Sequence, residues 1–209
     1  MDTSALKDRL IRFTDQIKQE QSKSAYGVLL TTFPWGSNGV AANQGMAMIQ
    51  AFKLTADSSY LDAAIANLDY LLGRNATTYC FVSGAGDKPP KNFHHRPSGA
   101  DDIFDPVPGL LAGGPNPSQQ DNCPGYPSDL PARSYLDDWC SYASNEICIN
   151  WNSPIAYLAT AVEATKSSNG RPNTLSVQIS HPQNETSFFT SDVITISTDA
   201  SISDGDTKS

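Results

Sequence analysis

The sequence predicts an all-α domain carrying a long loop layer and followed by a short β segment. Three observations predict it. Apolar residues recur at offsets of three and four through most of the first 71 residues and again after Glu146, the period of a helix with one buried face. Residues 75–134 are dense in Pro and Gly and keep no long period. Beyond residue 174 the apolar period changes to two, the alternation of a strand.

Each element can be justified in turn. Leu6, Leu10, Phe13 and Ile17, with Lys, Arg, Asp and Gln between them, make residues 3–22 one amphipathic helix. Residues 24–39, centred on FPWGSNG, form a loop that contains Trp35. Ala42, Met46, Ile49 and Phe52 support a second helix over 40–54. Asp57 is an N-cap for a third, striped by Tyr60, Ala64, Leu68 and Leu71, which Gly73 ends from the C′ position. Helices joined by short loops with no strands between them read as an antiparallel α assembly. Residues 75–134 are too long for an ordinary connection. Their aromatic and aliphatic residues (Tyr79, Phe81, Phe93, Phe104, Leu110, Leu111, Tyr126) are the content of a segment that packs, not one that stays disordered. A loop layer across one end of the helices is expected, where a rigid scaffold carries its chemistry. After Glu146, Ile155, Leu158, Ala159 and Val162 mark a last helix, with Pro154 near its start and Ser153 or Asn152 as cap. SSNGRPNT reads as a linker. Leu175, Val177 and Ile179, then Ile194 and Ile196, alternate as strands, and Asp204-Gly205 signals a hairpin turn.

Composition excludes several classes of partner. With 14 Lys and Arg against 22 Asp and Glu, the net charge is −8, and no basic cluster offers a nucleic-acid footprint. No apolar run is long enough to span a bilayer. No obligate protein partner is inferred. The N-terminus already reads as a helix and not as a signal peptide; either the protein stays inside the cell or the chain begins partway through a longer protein, and the rest of the sequence favours the second. Cys80, Cys123, Cys140 and Cys148 form no CxxC pair and have few histidines beside them, which argues against zinc. Two disulfides in an exported protein and four free thiols both remain open. No metal or cofactor is called for.

The stretch from Tyr135 to Ser153 sets Asp137, Asp138 and Glu146 among Tyr135, Trp139, Tyr142 and Trp151. Carboxylates among aromatic rings suit carbohydrate chemistry, because rings stack on the C–H faces of sugars and a partly desolvated carboxyl holds its proton more readily. The competing reading is a polar flank to the helix that follows, where acids favour the positive end of the dipole.

Three blocks together resemble the C-terminal part of the catalytic domain of family 9 glycoside hydrolases, cellulases with an (α/α)6 barrel. WGSNGVAANQGMAMIQAFKLTADSSYLDAAIANLDYLLGRN resembles one helix pair of that barrel. CFVSGAGDKPPKNFHHRPS is similar to the family's histidine signature, with Gly84 and Gly86 in a turn, Lys88, and His-x-Arg at His94 and Arg96. The third block is the stretch just described, similar to the acidic signature: Tyr135, Asp137, Tyr142, Glu146, Asn152 and Ser153 fall in its order. PVPGLLAGGPN also resembles family sequence, and the match covers roughly residues 30–165.

The resemblance implies an inverting hydrolysis of β-1,4-glucosidic bonds. Glu146 would be the general acid that protonates the leaving oxygen, opposite a carboxylate base acting through water. Asp137 would be an accessory carboxylate that orients the site, and His94 and Arg96 would hydrogen-bond glucosyl units. His95 is read as structural and Asp138 as incidental. Trp35, Trp139 and Trp151 stand equally as sugar platforms or packing, and Trp139 is the one carried as a substrate-binding candidate. The partner implied is a β-glucan polysaccharide or oligosaccharide, met outside the cell by a secreted longer protein.

Departures from the family pattern carry their own expectations. Phe93 replaces the usual Pro or aliphatic before the His. Cys80 and Cys148 stand where the signatures have small residues, which suggests a Cys80–Cys148 disulfide alongside Cys123–Cys140, with buried free thiols as the alternative. The family's Asp-Ala-Gly-Asp motif, which holds the catalytic base, does not occur, and four helices stand where the barrel needs six pairs. The expected organisation is therefore a partial barrel over 1–168, a linker over 169–174 and the incomplete start of an Ig-like β-sandwich module over 175–209. The fragment would carry an acid without its base and be inactive alone. The alternatives are a non-catalytic carbohydrate-binding remnant and a helical interaction protein.

Overall fold

The structure is a computed structural model and describes residues 3–167, 175–181 and 197–202. The chain divides into two compact units, Met1–Val162 and Glu163–Ser209. The first holds helices α1 (Thr3–Lys18), α2 (Ser37–Thr55), α3 (Ser58–Leu71) and α4 (Tyr142–Asn145) and most of α5 (Ile149–Ser167). In the second, β1 (Leu175–His181) pairs antiparallel with β2 (Ser197–Ile202), with Leu175 opposite Ile202 and Val177 opposite Ala200. The proposed linker, Ile194 and Ile196, and the Asp204-Gly205 turn lie outside the described residues.

Helices α2 and α3 form the centre of the first unit. Ala41, Ala42, Ala51, Ala63 and Ala64 are wholly buried, and small side chains let helix axes approach closely. Gly45 extends this to α5: a Cβ there would lie 2.6 Å from a methyl of Leu158. The α2–α3 turn follows the expected cap, with Asp57 Oδ1 accepting the Ser59 N–H at 2.9 Å. At the other end of α3, Arg74 N–H donates to the Asp69 carbonyl and Gly73 N–H to that of Tyr70, and Gly73 sits at φ +125°. This is the Schellman stop that the glycine predicts.

Residues 75–134 are a packed layer. Phe81, Phe93, Leu111, Ala112 and Tyr135 join the same apolar core as α2 and α3. The layer covers one end of the helices: Phe81 N–H donates to Leu71 O at the end of α3, and Asn38 N–H, at the start of α2, to Gly113 O. Leu111 N–H donates to Asn152 Oδ1 in the first turns of α5.

Three boundaries differ from expectation. The first helix ends at Lys18, and a separate 3-10 turn spans Gln21–Lys23. The second begins at Ser37, because Ser37 Oγ and Asn38 Nδ2 donate to the Pro115 and Ala112 carbonyls and fix the chain there. The last begins at Ile149, so neither Asn152 nor Ser153 caps it. Asn152 is inside, its Nδ2 donating to the Cys148 carbonyl while its oxygen holds Leu111. Pro154 lies within the helix, not at its first position, and has no N–H to donate to the Asn150 carbonyl.

Candidate functional site

Three bridges between four short extended segments bring the site together. Val82 bridges Leu111, Ala112 bridges Ile147, and His94 bridges Glu146 in parallel. Gly113 N–H donates to the Glu146 carbonyl and His94 N–H to that of Asn145. Glu146 ends the short α4 in extended backbone, at φ −76° and ψ 156°, before α5 begins. His94 and Glu146, 52 residues apart in sequence, thus become neighbours on one bridge.

Asp137 builds the platform under His94. Its two carboxylate oxygens accept the backbone N–H groups of Lys91 and Asn92, each at 2.9 Å, and Oδ1 also accepts Asn145 Nδ2–H at 3.2 Å. Asn145 is fully buried. It donates to the Asn92 carbonyl at 2.8 Å and accepts the Tyr135 hydroxyl at 2.6 Å. The backbone leading into His94 is therefore clamped from one side by Asp137 and Asn145, and Phe93 is buried beneath it.

The His94 ring is oriented by its own bond. Nδ1 lies 2.8 Å from the Trp139 carbonyl; a carbonyl only accepts, so Nδ1 carries the hydrogen. Nε2 is left without a protein partner among the described residues. The ring lies 5.0 Å from that of Trp139 and 5.6 Å from that of Tyr142, and Tyr142 lies 5.7 Å from Trp35. Trp35, Tyr142, His94 and Trp139 therefore form a row of rings. Trp35 Nε1–H donates to Glu146 Oε2 at 3.2 Å, which places the half-buried carboxyl on this row. Gly99 packs against Trp139, where a Cβ would lie 2.8 Å from the indole. A cleft of about 410 Å³ opens beside Trp139, between Phe93, Gly99, Ile103 and Phe104.

The sequence candidates separate accordingly. His94, Asp137, Trp139 and Glu146 come together. Arg96 follows on the exposed turn after His94, its guanidinium without a protein partner among the described residues. His95 Nδ1 is engaged with Ser98 Oγ at 2.9 Å. Trp35 and Trp139 are exposed at the row, at 39% and 44%. Trp151 instead packs on the start of α2, where a Cβ at Gly36 would come within 2.6 Å of its indole. Cys123 and Cys140 form a disulfide, while Cys80 and Cys148 are free. The expected Cys80–Cys148 bond is thus corrected. The Cys80 sulfur is turned to its own turn, 3.7 Å from the Val82 carbonyl, and Cys148 Sγ meets Asn150 Oδ1 beside the start of α5. The one grouping of metal-capable side chains among the described residues, Cys123, Asp138 and Cys140, has its sulfurs joined to each other. Asn145 was not singled out in the sequence; its only signal there is its position just before Glu146.

The chain belongs to glycosyl hydrolase family 9, whose family model matches residues 3–159. It is 44% identical over 165 residues to a protein of Bacteroides ovatus named xyloglucan-specific endo-beta-1,4-glucanase, covering 77% of this chain and 28% of that one. It is 36% identical over 154 residues to endoglucanase D of Acetivibrio thermocellus, covering 73% and 23%. Among solved structures it resembles a Bacteroides ovatus family 9 protein (TM-score 0.68, 39% identity, 78% of this chain and 28% of that chain). It also resembles AaCel9A in complex with cellobiose-like isofagomine (TM-score 0.70, 35% identity, 78% and 33%). The chain thus spans about a quarter to a third of the length of these relatives.

Proposed function

We propose that these residues are the proton-donating, sugar-holding part of an inverting β-1,4-glucan hydrolase that acts outside the cell as a longer protein. The observation that supports this reading is the His94–Glu146 bridge at the foot of the ring row. Glu146 is the general acid for the leaving glycosidic oxygen. His94 presents Nε2 as an acceptor for a sugar hydroxyl, since its Nδ1–H is committed to Trp139. Arg96 supplies free donors to a neighbouring unit, and Trp35 and Trp139 stack on sugar faces. Asp137 keeps His94 in place through the 91–92 backbone and need not touch substrate. No cofactor enters. The base that activates water comes from residues outside this chain, so the chain alone binds glucan without cleaving it. One relative is named a xyloglucan-specific endo-beta-1,4-glucanase and another an endoglucanase, and a β-1,4-glucan backbone is the ligand proposed for this chain. Residues 175–209 are proposed to open an Ig-like module beyond a linker over 169–174.

Titration of the chain with cellotetraose, followed by NMR, tests this. The signals of His94, Trp35 and Trp139 shift, Trp151 does not, and His94→Ala weakens binding about tenfold, the loss of a hydrogen bond of roughly 1.4 kcal/mol. Absence of any response at His94 refutes the sugar site. Release of reducing ends by the isolated chain refutes the missing base.

A further inference from the structure

Resting on the reading of Glu146 as the proton donor, we infer that Trp35 is a positioning residue that assigns the two oxygens of that donor their roles. The indole nitrogen is a donor only, and it meets Glu146 at Oε2, 3.2 Å away. A protonated carboxyl has one hydroxyl oxygen and one acceptor oxygen. With Oε2 engaged as acceptor, the transferable proton sits on Oε1. In the proton transfer the Oε1–H bond breaks and its electron pair stays on the carboxylate. The proton forms an O–H bond with the glycosidic oxygen as that oxygen leaves the anomeric carbon. The charge that develops on the carboxylate spreads onto Oε2, where the indole N–H already points. A neutral hydrogen bond becomes a charge-assisted one, roughly twice as strong. A contact that strengthens as the proton leaves lowers the barrier; one equally strong before and after would not.

The surroundings of Trp35 hold it in this geometry. Trp35 and Glu146 are 111 residues apart, so the contact is made by the fold. The next residue, Gly36, turns the chain into α2 at φ +77° with Trp151 packed against it. On the other side the Tyr142 ring lies 5.7 Å away, tilted by 37°. Phenylalanine at position 35 would keep this ring contact and lose only the N–H.

The test uses the full chain with its three tryptophan indoles labelled with ¹⁵N and assigned by single substitutions. In Glu146→Ala the Trp35 indole N–H loses its acceptor, so its proton signal moves upfield and exchanges with solvent faster. In Glu146→Gln the amide oxygen accepts and the signal is retained. The Trp139 and Trp151 signals stay in place in both. Trp35→Phe displaces the ¹³Cδ signal of Glu146 and leaves the ring signals of Tyr142 and His94 unmoved. A Trp35 signal indifferent to Glu146→Ala, or three tryptophans that move together, overturns the inference. The Glu146 pair leaves Trp35 intact and decides the matter even where Trp35→Phe does not fold. No sugar enters, so failure of this contact and failure of glucan binding are read separately.

Discussion

The Nδ1–H of His94 donates to the carbonyl of Trp139 at 2.8 Å, and Trp139 directly precedes Cys140 of the Cys123–Cys140 disulfide. The histidine tautomer is therefore tied to a covalent link 17 residues long in sequence. Cys140→Ser is expected to cost about 3 kcal/mol of stability, the loop-closure scale for a ring of this size. It should also release the Trp139 carbonyl, so that the ¹⁵N imidazole signals of His94 change from a fixed Nδ1–H form to exchanging tautomers. Thermal unfolding and imidazole NMR check the two parts. A destabilised protein with an unchanged His94 spectrum would separate the disulfide from the site.

Asp137→Asn should be damaging although it conserves size. Two backbone N–H groups and an amide need acceptors, and asparagine offers one oxygen and an NH₂ that faces a donor. The expected loss is about 1–3 kcal/mol, with a larger fall in cellotetraose affinity than Asp138→Asn, since Asp138 is exposed. Denaturant unfolding and calorimetric binding measure these. Equal effects at 137 and 138 would refute the clamp.

Asn145→Ala removes a buried group that serves Tyr135, Asn92 and Asp137 at once. Leaving the Tyr135 hydroxyl and the Asn92 carbonyl unpaired is expected to cost at least about 2 kcal/mol. Asn145→Asp should recover little, because it brings a second carboxylate against Asp137. Urea midpoints with an unchanged slope would locate the effect in the folded state.

Alkaline pH should unfold the protein through its tyrosines. Burial pushes the hydroxyls of Tyr70, Tyr79, Tyr126 and Tyr135 above their ordinary range, and the hydrogen bond to Asp15, with burial, pushes Tyr60 up to about 12. In the unfolded chain the same groups ionise near 10. Below that value their contribution is fully present; above it the unfolded state holds fewer protons, and stability falls as pH rises through the folded values. Denaturant midpoints at pH 9, 10 and 11 should drop in that order. Tyr70 has a buried hydroxyl with no partner among the described residues, so Tyr70→Phe is expected to stabilise by about 1 kcal/mol at neutral pH and to reduce the alkaline slope.

The two free thiols should react unequally. Burial raises the Cys80 thiol, only partly offset by a hydrogen bond with the backbone of Val82, and the thiolate is the reacting species. Iodoacetamide at pH 8 should therefore modify Cys148 first, with Cys80 labelled only on unfolding. Peptide mapping reads the order, and equal labelling would contradict the burial of Cys80.

Local pattern determined much of this protein. The stripes of α2 and α3, the Asp57 cap and the Gly73 stop are written in neighbouring residues, and the structure realises them because period and capping act over one or two turns; the α1 helix forms, but Leu6 and Phe13 of its stripe stay exposed. The apolar content of residues 75–134 correctly implied a packed layer. The family was legible from motifs in order. Tertiary structure decided what depends on distant atoms. The last helix starts at Ile149 because Asn152 is held by Leu111, 41 residues away, and no local cap rule contains that. Trp151 packs while Trp35 meets Glu146, a choice made by Gly36 and Gly39 lying under one ring and not the other. Cys80 and Cys148 remain thiols because their segments direct the sulfurs to their own turns. Asn145 joins Tyr135, Asn92 and Asp137 only once three separate segments have met, so spacing along the chain gave no account of it.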